Sequence, residues 1–223
     1  MSRGMRRAAL LFDLDGTLVD TDPLHHAVFV EILAERGREL PLEEYRARIM
    51  GQHNDDVLAA YFPGEDRAVL DRKEAMFRET LAASVEPVAG IHALLDWAEA
   101  NGLGTAVVTN APRANAEAML AATGLARRLA TVVVGDECAR PKPDPAPYQA
   151  AMAALGATPS RSIAFEDSRS GIRAARSAGA HVFGMASSLT PGQLLQAGAH
   201  QTIRDFADPA LWDRLAQLRS EVA

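Results

Sequence analysis

The 223-residue sequence predicts an α/β fold, a doubly wound parallel sheet with an inserted α-helical domain. Three observations predict it. Short apolar runs of strand length recur with helical stretches between them, the order of a parallel sheet with crossover helices. The runs are continuously apolar, as strands covered on both faces are, rather than alternating. And residues 22 to about 84 carry helical patterns only, with no convincing strand.

The elements follow in chain order. "AALLFDL" (8–14) reads as the first strand. The helical block comes next: Leu24, Val28 and Ile32 at helical spacing, then "LEEYRARI", "NDDVLAAYF" and a long helix from Asp66 to Ser84. The chain returns to the sheet near "EPVAG" (86–90), and Ile91, Leu94, Leu95 and Ala98 mark a helix beyond it. Further strands are "GTAVVTN" (104–110), "TVVVG" (131–135), "SIAFED" (162–167) and "HVFGMA" (181–186), with a weaker one at "HQTI" (200–203). Asp22-Pro23, Asp144-Pro145, Thr190-Pro191 and Asp208-Pro209 each place a capping side chain before a proline suited to a first helical turn. Gly156 and Gly179 read as helix stops. The boundaries expected from this pattern are a core of residues 1–20 and 88–223 and a small helical domain of 21–87.

Composition narrows the function. Apolar residues make up 48% and charged residues 23%, the balance of a globular protein with a real core. A formal charge of -6 argues against nucleic acid as a partner, though not against an anionic substrate in a locally positive pocket. Only five apolar residues, Ala8–Phe12, precede Asp13, too few for a membrane span or a signal peptide. A lone Cys138 excludes an intrachain disulfide and a cysteine zinc cage, and fits a cytoplasmic protein. "DECARPKP" offers that cysteine no histidine, so it reads as structural.

Parallel sheets bind ligands beyond the carboxyl ends of their strands. Four polar clusters fall there: Asp13 and Asp15, Thr109 and Asn110, Lys142 in "RPKPDP", and Glu166 with Asp167. Singly each has an ordinary reading as a turn, a helix cap or a stiff loop. Jointly, acids beside one lysine and one hydroxyl suit a hard cation and a phosphate. Magnesium takes oxygen ligands and keeps several waters, so carboxylates and a substrate phosphate fit it. Helix starts near Pro112 and after Asp167 add amide donors for an anion.

The segments "FDLDGTLVDTDPLH", "VVTNAP", "RPKPDPAPY" and "FEDSRSGIRAARSAG", in this order, resemble the haloacid dehalogenase superfamily of phosphotransferases. The helical block is similar to that superfamily's α-helical cap, and the subgroup resembles β-phosphoglucomutase and related sugar-phosphate phosphatases. The resemblance implies that Asp13 attacks phosphorus to form an aspartyl-phosphate that water hydrolyses. Asp15 would protonate the leaving oxygen and then deprotonate that water, with crowding by other acids and closure of the cap favouring its protonated form. Magnesium would be held by Asp13, the Asp15 main-chain carbonyl and Asp167, with Glu166 beside it. Thr109 and Asn110 would hold phosphoryl oxygens, and Lys142 would offset charge. An acid at Asp15 also favours phosphoryl chemistry over carbon–halogen cleavage.

The helical block adds two residues. Lys73 falls on the stripe of Val69, Phe77 and Leu81, where it either snorkels or points at substrate. By resemblance it partners a histidine at His25; His26 reads as an ordinary helix residue. Where the mutase grips a second phosphate with a cap arginine, this chain has Asn54, flanked by Gln52 and His53; its Ser and Lys positions are Ala111 and Pro112. Arg113 is a candidate replacement. The expectation is therefore a magnesium-dependent phosphatase acting, as a monomer or weak dimer, on a small phosphorylated metabolite such as a sugar phosphate or phosphoglycolate. A phosphosugar mutase is the alternative. A non-catalytic phosphometabolite-binding protein would have lost catalytic groups, and none is missing.

Overall fold

The computed structural model describes residues 7–81 and 85–222. Strand β1 (Arg7–Phe12) leads into four helices, α1 (Asp22–Ala34), α2 (Leu42–Arg48), α3 (Asn54–Tyr61) and α4 (Ala68–Leu81). Then follow α5 (Ile91–Ala100), β2 (Gly104–Thr109), α6 (Arg113–Ala122), β3 (Thr131–Val134), a 3-10 turn (Gly135–Glu137) and α7 (Ala146–Leu155). The chain closes with β4 (Ala157–Glu166), α8 (Arg169–Ser177), β5 (His181–Met185), α9 (Pro191–Ala197), β6 (Gln201–Ile203) and α10 (Pro209–Val222).

The six strands form one parallel sheet in the order β3-β2-β1-β4-β5-β6. This is the expected α/β architecture, with its crevice where β1 lies between β2 and β4. Successive side chains of a strand face opposite sides, and the core divides accordingly. Ala9 and Leu11 join Ala106, Val108, Ala164 and Val182 in one apolar layer, covered by α7 and α8. Leu10 and Phe12 join Val107, Phe165 and Phe183 in the other, covered by α5, α6 and α10. Phe12 stacks on Phe165 at 5.0 Å between ring centres, and Phe165 on Phe183 at 5.8 Å. Burial on both faces is why these strands read as unbroken apolar runs.

Two expectations about element ends change. Asp22 does not cap α1: it is the first helical residue, and its carboxylate accepts instead from Tyr45, at 3.1 Å, and from Ser188. Strand β4 begins at Ala157, five residues before the apolar signal: Ala157 pairs with Arg7 of β1 through an irregular register, and residues 157–161 are half-buried or exposed. The Thr190 cap is a full capping box with Gln193, and Asp208 accepts from the Ala210 amide at 2.9 Å. The expected long helix starts at Ala68 rather than Asp66 and is described as far as Leu81; its last three expected residues, 82–84, lie outside the described residues.

Between β1 and α5 the chain is helical, as read from the sequence. The block is joined to the sheet at paired crossings: Val19 bridges Pro87, and the Val88 amide donates to Leu18 at 2.9 Å. Among the described residues no helix is long and apolar enough to cross a membrane.

Candidate active site

The β1 ladder runs one residue past the strand, with the Asp13 amide donating to Phe165 at 3.0 Å. That extension delivers the Asp13 carboxylate to the crevice, 6% exposed. The following Gly16 has φ +73°, and a Cβ there would lie 2.2 Å from Asp167 Oδ2. Glycine thus allows both the turn and the close approach of a second acid.

Lys142 reaches the same point from the loop after β3. Its Nζ donates to Asp13 Oδ1 and to Glu166 Oε1, both at 2.6 Å. Glu166, at the end of β4, is wholly buried and also accepts from the Tyr148 hydroxyl at 2.5 Å and from Ser168 at 3.2 Å. Asp13, Glu166 and Asp167 each bring a carboxylate oxygen within 4.8 Å of the others. Burial pushes Asp13 up to about 7, with Glu166 adding to the rise against the pull of Lys142. Burial, then the Asp13 charge, raises Asp167 well above the carboxylate range. Burial works to discharge Lys142, yet Asp13 and Glu166 outweigh it and keep the ammonium charged. Burial drives these acids toward their neutral forms, and one Lys142 cannot balance all three once ionised, so a second cation would be needed to keep them charged; the donors are all hard oxygens. This group fits a divalent cation such as magnesium.

Asp15 departs from the expectation of a crowded, protonated acid. Its carboxylate is absent from the three-acid group and accepts from Thr21 Oγ1 at 2.6 Å and His25 Nε2 at 2.9 Å. Burial would raise it, but these bonds prevail and hold its pKa below the ordinary value. Crowding falls on Asp13 and Asp167 instead. His25 in turn takes a hydrogen bond from Lys73 Nζ at 2.9 Å, which leaves the His25 proton on Nε2, facing Asp15. The His25 ring stacks on Phe77 at 3.9 Å. Lys73 does not snorkel: it is 4% exposed, and its Nζ lies 4.8 Å from the centre of the Phe29 ring and 3.2 Å from Glu74.

Thr109 ends β2 buried, its Oγ1 accepting from the Ala111 amide at 2.9 Å. Asn110 exchanges two 3.1 Å hydrogen bonds with the Lys142 main chain, so it positions the lysine loop. Both line one pocket with Asp13, Asp15, His25, Lys73, Lys142 and Asp167. Arg113 is not among its lining residues; its guanidinium binds Glu137 of the 3-10 turn and the Val132 carbonyl of β3, the latter at 3.1 Å. Cys138 is half-buried, and burial pushes its thiol up, against a nucleophilic role.

Sequence reasoning did not single out Glu74, Asn115, Tyr148 or Ser168. Glu74 is 6% exposed and accepts from Asn54 at 3.0 Å and from Asn115 at 2.5 Å. Lys73 and then His25 overcome burial and keep its pKa below the ordinary value. The available signal was a glutamate beside a stripe lysine, which reads equally well as a solvated neighbour.

A sequence model of the haloacid dehalogenase-like hydrolase family matches residues 10–185. The chain belongs to this family. Protein CbbY of Rhodobacter capsulatus is 33% identical over 202 residues, which cover 84% of this chain and 89% of that protein. The "phosphorylated carbohydrates phosphatase" of Thermotoga maritima is 30% identical, covering 86% of this chain and 91% of the relative. Among solved structures, a CbbY mutant from Rhodobacter sphaeroides bound to xylulose-(1,5)bisphosphate superposes with a TM-score of 0.80 at 28% identity, covering 91% and 96% of the two chains.

Proposed function

We propose that the chain is a magnesium-dependent phosphatase that hydrolyses a small phosphorylated metabolite, a sugar phosphate above all, through an aspartyl-phosphate on Asp13. The observation that carries this is the convergence of Asp13, Lys142, Glu166 and Asp167 at the carboxyl edge of one parallel sheet. Family membership and a relative named for phosphorylated carbohydrates support the reaction class.

In this reading Asp13, Asp167 and the Asp15 carbonyl hold magnesium, with Glu166 beside them. When bound, the ion neutralises charge on the acids and on the transferring phosphoryl group. Asp13 Oδ attacks phosphorus. Lys142 stabilises the charge spreading over the phosphoryl oxygens from a position already fixed by Glu166. Thr109 and Asn110 bind phosphoryl oxygens. Asp15, ionised by its His25 and Thr21 bonds, is ready to deprotonate the hydrolytic water. To protonate the leaving oxygen it must exchange its His25 bond for the substrate and enter protonated. Lys73 and His25 fix where that exchange occurs. The helical block of residues 21–87 acts as a cap that excludes water while the ester is cleaved.

Hydrolysis is favoured over mutase chemistry because Asn54, where a second phosphate would need a cation, is tied to Glu74. Incubation with β-glucose 1-phosphate, magnesium and a trace of bisphosphate should yield free phosphate or nothing; accumulation of glucose 6-phosphate overturns this choice. The reaction itself is tested with p-nitrophenyl phosphate. Phosphate release should stop with a chelator and return with magnesium, and Asp13→Asn should be inactive. The single cysteine supports a reducing compartment, the cytoplasm.

A further inference from the structure

Building on the phosphatase reading, we propose that Glu74 sets substrate choice by cancelling the charge of Lys73. The pocket wall built by α3, α4 and α6 then accepts a neutral, hydroxyl-bearing tail and refuses a second phosphate.

Hydrogen bonds saturate the charged groups of this wall. The Lys73 ammonium has three hydrogens, one directed to His25 Nδ1 at 2.9 Å and the others to the two Glu74 oxygens at 3.2 Å. Glu74 Oε1 accepts from Lys73 and Asn54, and Oε2 from Lys73 and Asn115, which fills the carboxylate. Neither charge has a free valence for a ligand, and their sum is zero. Asn115 is itself buried, its Oδ1 taken by Arg78 at 2.7 Å. What remains on this wall is Asn54, Ala111 and Pro112, with no cation.

A phosphate dianion needs charge-assisted donors to repay its lost hydration. Here it would meet a saturated carboxylate instead. Hydroxyls exchange readily with asparagine amides and carry no such desolvation cost. Arg46, Arg169 and Arg173 have no ion pair among the described residues and border a neighbouring cleft that meets the pocket at Met50, Gln52 and Ser170.

The test compares fructose 1-phosphate, fructose 6-phosphate and fructose 1,6-bisphosphate. Binding is measured by calorimetry with magnesium in the Asp13→Asn background, and kcat/KM in the protein with Asp13 intact. With Glu74 present, the bisphosphate should bind about tenfold or more weakly than the better monophosphate. Glu74→Gln unmasks Lys73 and should raise bisphosphate affinity about tenfold while moving monophosphate binding little. The double variant Lys73→Met/Glu74→Gln should lose that gain. Equal or tighter bisphosphate binding with Glu74 present overturns the proposal, and this arm stands even if Glu74→Gln fails to fold. An equal loss for all three ligands in Glu74→Gln overturns it too, as does bisphosphate affinity that Arg169→Gln abolishes. The two readings separate cleanly. Preference without hydrolysis refutes the phosphatase and keeps this inference, and hydrolysis without preference does the reverse.

Discussion

Gly171 has no room for a methyl group. A Cβ there would lie 2.0 Å from Glu166 Cδ and 1.9 Å from Oε2, so Gly171→Ala must push the glutamate off Lys142. We expect at least about a tenfold fall in kcat and about 1–3 kcal/mol lost stability, read by steady-state kinetics and urea unfolding. Tyr148→Phe is a milder probe of the same carboxylate. It deletes a buried 2.5 Å donor and should cost about 1–3 kcal/mol with little change in KM. The residues at strand ends were legible because an acid or hydroxyl that stops an apolar run stands out, whereas Lys142 was legible only through the segment "RPKPDP". Tyr148, Glu74 and Asn115 were not. Each sits within a helix, and each meets its partner across 18 to 41 positions of sequence, which no local pattern encodes.

At the scale of elements, helix caps and apolar runs told most of the story, and they misled where a tertiary partner intervened. Asp22 had the form of a cap, but Tyr45 and Ser188 claim its carboxylate. The front half of β4, "ATPSR", has no large apolar residue and none that is fully buried, so hydrophobicity could not mark it. Strand β5 begins with His181, stacked on His200 at 4.3 Å, its Nε2 buried without a hydrogen-bond partner among the described residues. Burial, then His200, pulls its pKa from 6.5 to about 4. The unfolded chain therefore binds this proton first as pH falls, so the His181 contribution is intact above pH 6.5 and drains away toward pH 4. Other acids titrate in the same window, so the informative quantity is a difference. Across it the wild-type Tm should fall faster than that of His181→Asn; parallel curves would contradict the assignment.

For the whole molecule, the helical block meets the core through polar contacts. Ser170 donates to the Gly51 carbonyl at 2.7 Å, His53 binds Asp136, and Arg78 reaches Asn115 at 2.7 Å. We expect the block to open for exchange about the paired crossings at Val19 and Pro87 and to close over substrate. Removing two latches with His53→Ala/Ser170→Ala should raise KM for small phosphomonoesters with little loss of Tm, while energy transfer between dyes on α3 and α7 falls. Unchanged transfer and KM would mean a fixed block. The run of helices between β1 and α5 was visible in sequence as a stretch lacking strand signals. The latches were not, since they join loops whose approach depends on how the finished block sits on the sheet. The central claim, that Asp13 carries the phosphoryl group, is met most directly by quenching a single turnover with acid, reducing the acyl-phosphate with borohydride and sequencing the peptide containing residues 10–20. The account predicts that Asp13 is converted to homoserine only when substrate and magnesium are both present; steady turnover with Asp13 unmodified would contradict it.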